Sequence, residues 1–344
     1  MVSERVGANA RAETVSDCAP VFHPWLRGRV QAALTRAWTT RVPVLQYASP
    51  AEVAAGVLRQ EVLEAVSEDA AIPSRPWIII DFCAGGGGPT PSIERILNSS
   101  SNKSKTTSPT QFVLTDLHPH IDDWAAAAAQ SPNVRYAAEP VDASAAEPAA
   151  ILAAAGLGPE TTAAHPRVLR LFNLAFHHFD DPLARAILRN TVETSDGFGI
   201  LELQDRSVSA FFTTLAFGLG ILLTAPYYAW RWRSPMTLVF TYLLPILPFV
   251  LVFDGWMSML RTRTPDEVAA LLHSCGATPA DVARWELHSG EIRHLWPCGY
   301  LKWIVCVKRQ ECEAVKAVEA VGAVGAVKTT DQSVRHRATI DVKG

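Results

Sequence analysis

The chain has 344 residues, 49% hydrophobic and 19% charged, a composition with ample core formers and too apolar for a disordered polymer. Its 31 basic and 34 acidic side chains leave a net charge of −3, so no basic excess marks a nucleic-acid binder. The six cysteines (Cys18, Cys83, Cys275, Cys298, Cys306 and Cys312) include no CxxC pair, which argues against both a zinc ribbon and a disulfide scaffold.

The opening segment, Met1–Thr14, carries Glu4, Arg5, Arg11 and Glu13 and has no apolar core. It does not read as a secretory signal, and residues 1–22 are expected to be disordered. Residues 23–75 read as a helical cap. Trp25, Val30, Ala33, Leu34 and Trp38 recur at helical spacing, and Ser49-Pro50 is an N-cap and first-turn pair before Val53, Val57, Leu58 and Val62. At Trp77–Phe82 the pattern becomes a continuous apolar run broken by Asp81, as expected of a strand buried on both faces of a parallel sheet. The polar stretch 98–110 reads as a flexible insert. Phe112–Leu114, Val134–Ala137, Val168–Leu174 and Gly199–Leu203 are further strands, with helical segments at Ala125–Ala129 and from Pro182 to about Val192.

Two uncharged apolar stretches follow, Ser207–Trp230 and Ser234–Phe253, separated by Arg231, Trp232 and Arg233. Each is long enough to cross a bilayer. Pro226, Pro235, Pro245 and Pro248 interrupt them, however, and a spanning hairpin would leave Arg231 and Arg233 on the far side, against the positive-inside tendency. Residues 207–254 therefore read as an apolar helical hairpin, either a lid over a site or a membrane contact. Thr264, with Glu267 three residues on, is a capping box that opens the next helix. Trp285–His288 and Tyr300–Val307 are a closing strand pair, so 255–309 complete the core begun at 76–206. The tail 310–344 is of low complexity, with an Ala-Val-X repeat between Ala314 and Lys328. Strands alternating with helices predict an α/β fold: a Rossmann-like, doubly wound, mostly parallel sheet with a C-terminal antiparallel pair. Ligands in such sheets sit at the carboxyl ends of the strands.

The segment with most chemistry is Asp81-Phe82-Cys83-Ala84-Gly85-Gly86-Gly87-Gly88-Pro89. Four glycines after a strand let the backbone turn sharply and let a ligand lie against it. The third glycine of a dinucleotide fingerprint would fall on Thr90 or Pro91, and no phosphate loop is present. A carboxylate at Asp81 would repel a pyrophosphate and favour an amine-bearing ligand.

This stretch resembles the first motif of the class I S-adenosylmethionine-dependent methyltransferases, with Gly85 and Gly87 on its second and third glycines and Cys83 in place of the first. Phe112–Asp116 resembles the second motif, Val141-Asp142-Ala143 the third, and Leu171–Phe179 the fourth, in the family's order. The resemblance covers roughly Trp77–Val307. It implies S-adenosylmethionine as cofactor, cradled by Asp81, Cys83, Ala84, Gly85 and Gly87, with Asp116 on the ribose hydroxyls, Asp142 on the adenine amine and Asn173 under the methyl group. His177 and His178, next to that point, are the candidate catalytic residues, because an imidazole can take a proton from a hydroxyl acceptor. Glu202, Asp205 and Asp254 are secondary candidates. No metal site is visible, since His177-His178 lacks partners at a ligand spacing.

The expected activity is methyl transfer to an apolar small molecule (a lipid, isoprenoid or aromatic natural product) by an enzyme on the cytoplasmic side, membrane-associated and not secreted. A nicotinamide-dependent oxidoreductase and a non-catalytic, membrane-associated cofactor-binding protein are the alternatives; Asp116 would also suit an NAD ribose.

Overall fold

A computed structural model describes residues 24–64, 75–99, 109–158 and 166–309. The chain up to Lys308 forms one unit. The expectations for 1–22 and 310–344, and for most of the insert at 98–110, lie outside the described residues.

The strands form one seven-stranded sheet in the order β3-β2-β1-β4-β5-β7-β6: β1 (Trp77–Phe82), β2 (Gln111–Thr115), β3 (Val134–Tyr136), β4 (Arg167–Asn173), β5 (Gly197–Glu202), β6 (Trp285–Leu295) and β7 (Gly299–Lys308). The first five run parallel. β7 is antiparallel to β5, and β6 to β7. The fold is thus a Rossmann-like α/β sheet with an antiparallel pair at one edge. β1 and β5 are buried at every residue, as the unbroken apolar runs require. Alternate side chains serve opposite faces. Ile78, Ile80 and Phe82 enter one core with residues of α5 (Pro148–Ala154), α6 (Asp181–Thr194), α10 (Pro265–His273) and α11 (Pro279–Val282). Trp77 and Ile79 enter the other with α1 (Pro24–Thr39), α2 (Pro50–Leu58) and α3 (Thr90–Leu97). Trp124 of α4 (Ile121–Ala128) packs with Leu114 and Val134 in a smaller third cluster.

Local signals place the helix starts. Ser49 and Glu52 form a reciprocal capping box on α2, and Thr264 and Glu267 form one on α10. Three features depart from the expectation. Helices α5 and α11 carry no periodic signal, because seven and four residues are too short to show a 3.6-residue repeat. Strand β6 runs on past His288 to Leu295 despite its polar composition. It is the edge strand, and one face meets water at Ser289, Glu291 and Arg293. Finally, the apolar hairpin does not close at residue 254, since its second long helix continues to Arg261.

One buried cation braces the sheet. Arg170 on β4 is fully buried and donates to Ser195 Oγ, the carbonyls of Ala143 and Ala146, Asn190 Oδ1 and Thr194 Oγ1. Its guanidinium fork meets acceptors on the 143–146 loop and the end of α6 at once, as a lysine's point charge would not. Burial lowers its pKa to about 10, so it remains charged at neutral pH.

The hairpin comprises α7 (Val208–Arg231), a short return containing α8 (Met236–Leu238), and α9 (Ile246–Arg261). α7 is long and apolar enough to cross a membrane and only 28% of its apolar stretch is buried, while the returning arm is bent by 66°. Small residues let α7 and α9 close on each other. A Cβ on Gly218 would collide with Val252 Cγ2, and one on Gly255 would sit 2.6 Å from Thr214 Cγ2. Pro226 removes the amide that would bond the Leu222 carbonyl one turn back; the Tyr242 hydroxyl donates to that carbonyl instead.

Gly218→Ala is therefore expected to destabilise the chain by about 1–3 kcal/mol, although alanine is the better helix former by about 1 kcal/mol. Urea unfolding followed by circular dichroism measures the sign, and a stabilised variant would refute the close packing.

Candidate functional site

The strand order reverses between β1 and β4, and a crevice at such a switch point is where open α/β sheets bind ligands. The glycine loop leaves β1 at that point. Cys83, Gly85, Gly87 and Gly88 all have positive φ, at 59°, 50°, 96° and 49°. Cys83 thus adopts the backbone conformation that favours glycine, so the departure from the motif lies in its side chain and not in the path of the chain.

The loop is clamped from β2 and α4. Ala84 N donates to the Thr115 carbonyl at 3.0 Å and Gly85 N to Asp116 Oδ2 at 2.9 Å. The Trp124 indole donates to the Gly85 carbonyl at 2.7 Å. The other oxygen of Asp116 accepts from His118 N, and its carbonyl accepts from Val141 N.

Beneath the loop lies a buried polar knot. Asp81 is 1% exposed. It accepts from the Thr90 hydroxyl at 2.6 Å and from Asn173 Nδ2 at 3.1 Å, while Thr115 Oγ1 donates to its carbonyl. Burial raises its pKa to about 7 against the two hydrogen bonds, and Asp116 adds a smaller upward push. Asn173 Oδ1 is buried with no hydrogen-bond partner among the described residues.

The loop opens on a cleft of about 200 Å³, lined also by Asn173, Leu174 and His178, by Gln31, Leu34, Thr35 and Trp38 of α1, and by Val250 and Asp254 of α9. A Cβ on Gly85 would come no nearer than 4.0 Å to Gln31, so bare backbone faces this space.

Of the residues singled out in the sequence, Asp81, Cys83, Ala84, Gly85, Asn173 and His178 line the cleft. Gly87 belongs to the same loop, and Asp116 adjoins it through Gly85. Asp142 does not line it: it is exposed, and its carboxylate accepts from Ser144 N and Oγ in a local turn. The two histidines part company. His177 is buried with Nδ1 2.9 Å from Glu202 Oε2, and faces a separate cavity of about 480 Å³ that also holds Asp205 and Lys302. His178 lies against it, ring centroids 4.1 Å apart, and reaches the cleft. Both also border a third cavity of about 630 Å³, beside Arg185, Arg206, Arg261 and Arg263. Burial, then His177 and Arg261, lowers the His178 pKa to about 3, so its imidazole is neutral at physiological pH.

Sequence reasoning does not find the lining from α1 and Val250. Leu34 and Trp38 carry an ordinary core-facing signal, and nothing marks Gln31 as turned toward a ligand space.

No family model matches the sequence, and no curated protein matches it. Among solved structures, the DszA carbon methyltransferase is 13% identical with a TM-score of 0.40, over 76% of this chain and 55% of that one. Phosphoethanolamine N-methyltransferase 1 of Haemonchus contortus is 15% identical with a TM-score of 0.31, over 58% and 34%. A Rhodobacter sphaeroides protein described as a zinc-dependent alcohol dehydrogenase is 13% identical with a TM-score of 0.34, over 76% and 98%. The chain thus spans about half of the carbon methyltransferase and a third of the N-methyltransferase. Likenesses this loose do not separate the two chemistries, and the functional reading rests on the site.

Two outcomes test the site's geometry. Cys83→Gly should stay within about 1 kcal/mol of the parent, whereas Cys83→Val should cost about 2 kcal/mol, because a β-branched residue is strained at positive φ. Equal melting temperatures for the two variants would contradict this. Folded Asp81 keeps its proton to about pH 7, whereas its ordinary value is 3.8. Stability is therefore lost as the pH rises between those two values, by about 1.4 kcal/mol for each pH step of one. Asp81→Asn removes that loss, so the melting temperature of the variant should gain on the parent from about pH 4 to about pH 8. A gap that stays constant with pH would contradict the buried acid.

Proposed function

We propose that this chain is an S-adenosylmethionine-dependent methyltransferase acting on an apolar small molecule. The observation that carries the reading is the meeting of the acidic ends of β1 and β2, the glycine loop and the end of β4 at the switch-point crevice. The residues present suit the cofactor. Bare glycine backbone borders the cleft, the buried Asn173 Oδ1 has no donor among the described residues, and Asp81 beside it is an acceptor, a pair suited to an ammonium group. Each oxygen of Asp116 accepts one backbone amide and keeps a lone pair for a ribose hydroxyl. A pyrophosphate fits less well. Thr90 stands where close helix packing needs glycine, and its hydroxyl is committed to a buried acid.

When bound, the cofactor supplies an activated methyl group on a sulfonium, so the difficult chemistry is its own. The chain's part is to orient and to exclude water. α1 and α9 wall the cleft with Leu34, Trp38 and Val250, a lining suited to an apolar acceptor. His178 is neutral, and its buried Nδ1 has no partner among the described residues, so it can accept a hydrogen bond from a hydroxyl acceptor and orient it. Proton transfer to the ring needs a bound acceptor to raise a pKa that burial holds near 3. Glu202 fixes the ring of His177, and His177 packs against His178. That makes His177 a positioning residue and His178 the candidate base. Asp142 follows Val141, whose amide bonds the Asp116 carbonyl, and its assignment to the adenine amine is part of the proposal. So is a place for the enzyme on the cytoplasmic side of a membrane.

Isothermal titration of the purified chain with S-adenosylmethionine, and in parallel with NADH, tests the reading. Saturable binding of the first is expected, weakened at least about tenfold in Asp116→Ala, in line with the loss of charge-assisted hydrogen bonds. Binding of NADH alone would bring the oxidoreductase forward. Cofactor binding with no turnover on any apolar acceptor would favour the non-catalytic binding protein.

A further inference from the structure

We infer that the outer face of the α7–α9 hairpin is a docking surface for an anionic lipid bilayer, lying in one leaflet and not crossing it. On α7, Phe212, Leu215, Leu219, Leu223, Tyr227 and Trp230 are all exposed, and their spacing of three and four residues puts them on one side of the helix. Leu223 and Trp230 are 73% and 76% exposed. The inward stripe is Ala210, Thr214, Gly218, Ile221, Ala225 and Ala229. On α9, Ile246, Phe249, Phe253 and Leu260 are exposed in the same rhythm, and Tyr242, Leu243 and Leu244 continue the apolar surface between the helices. A contiguous exposed face of this size marks an interaction site.

Charge and aromatic content point to lipid as the occupant. Between residues 206 and 263 there are five arginines and one carboxylate, Asp254, and Asp254 lines the cleft. Arg231 and Arg233 are exposed beside Trp230 at the far end of α7, and Arg261 is exposed at the near end, where Arg206 is paired with Glu267 and Arg263 with Asp181. Cations and amphipathic rings flanking an apolar stripe suit the headgroup boundary of an anionic leaflet.

The packing of α1 decides against a span. Val30, Ala33 and Leu34 lie on Ile221, Leu247 and Leu251 at the middle of the hairpin. The Arg29 guanidinium stacks 4.5 Å over Trp232, and Arg36 lies 6.0 Å over Tyr228. A bilayer surrounding the hairpin would have to take those arginines and the polar wall of the cleft out of water, at high cost. Only the side away from α1 can meet hydrocarbon. The bent return arm fits a helix pair lying in the plane.

The inference deepens the proposed function only in saying where an apolar acceptor comes from; the docking face stands on its own residues. The test is flotation of the purified full chain with vesicles of phosphatidylcholine, alone or with one-third phosphatidylserine. Binding should require the anionic lipid, weaken in high salt, and shift Trp fluorescence to the blue. Leu219→Glu combined with Leu223→Glu should lower vesicle partitioning at least about tenfold. Arg231→Gln with Arg233→Gln should lower it about fivefold per charge removed. Unchanged thermal melting of the unbound variants shows that they remain folded. Washing loaded vesicles with alkaline carbonate should release the protein. Retention after the wash, equal binding to both vesicle types, or a stable dimer that ignores vesicles would each overturn the inference. Flotation by a chain that does not bind S-adenosylmethionine would leave the docking face standing and remove only the reading of the cleft.

Discussion

A carboxyl group with almost no access to water sits where three elements meet, and the carboxyl edge of the sheet is built around it. Asp81 lies one residue from the end of β1, Thr90 begins α3 and Asn173 ends β4, and two hydrogen bonds to one side chain hold them together. A buried acid is costly in its charged form, so the junction favours either a proton or a nearby cation. Its position under the glycine loop means that whatever occupies the cleft is felt by the residue that holds the loop's base. The second carboxylate, Asp116, acts from above on the loop's first glycine amide. One acid sets the floor of the cleft and the other sets the shape of its rim.

The apolar hairpin reads in the sequence as either a lid or a membrane contact, and its two faces suit both roles. Inward, small residues bring α7 against α9, and α9 carries Val250 and Asp254 to the cleft. Outward, the large aliphatic and aromatic side chains have no partner among the described residues that buries them. α1 joins the two sides, because it packs on the hairpin through Val30 and Leu34 and walls the cleft with Gln31 and Trp38. A displacement of the hairpin therefore has a direct route to the site through packed side chains.

Much of this is legible in the residues. The strand Trp77–Phe82 has the bounds its apolar run implies, and the N-cap at Ser49 and the capping box of Thr264 and Glu267 form as their side chains dictate, because these signals are local and strong. The hidden parts depend on orientation or on distant packing. His177 and His178 are neighbours in sequence, yet one turns to Glu202 and the other to the cleft, a difference that spacing does not encode. Asp142 is close to Asp116 along the backbone while its side chain serves its own turn. The contribution of α1 is hidden because a residue lining a ligand cleft and a residue lining a core share the same apolar stripe. The glycine loop is plain for the opposite reason: a backbone with positive φ restricts residue choice at each step, and Cys83 shows how far that restriction can bend.

Pro226 and Tyr242 make a final point about how such a hairpin varies. The proline leaves the Leu222 carbonyl without its helical donor, and the tyrosine hydroxyl from the return arm supplies one. Under the docking proposal this exposed carbonyl lies on the hydrocarbon side, where no water would be at hand to serve instead. On that proposal the two positions would be epistatic. Replacing the tyrosine is harmful only while the proline is present, and restoring an amide at 226 frees position 242 to drift. A substitution history that changed the tyrosine first would pass through a less stable intermediate, so the order of events at these two sites is constrained by a single carbonyl oxygen.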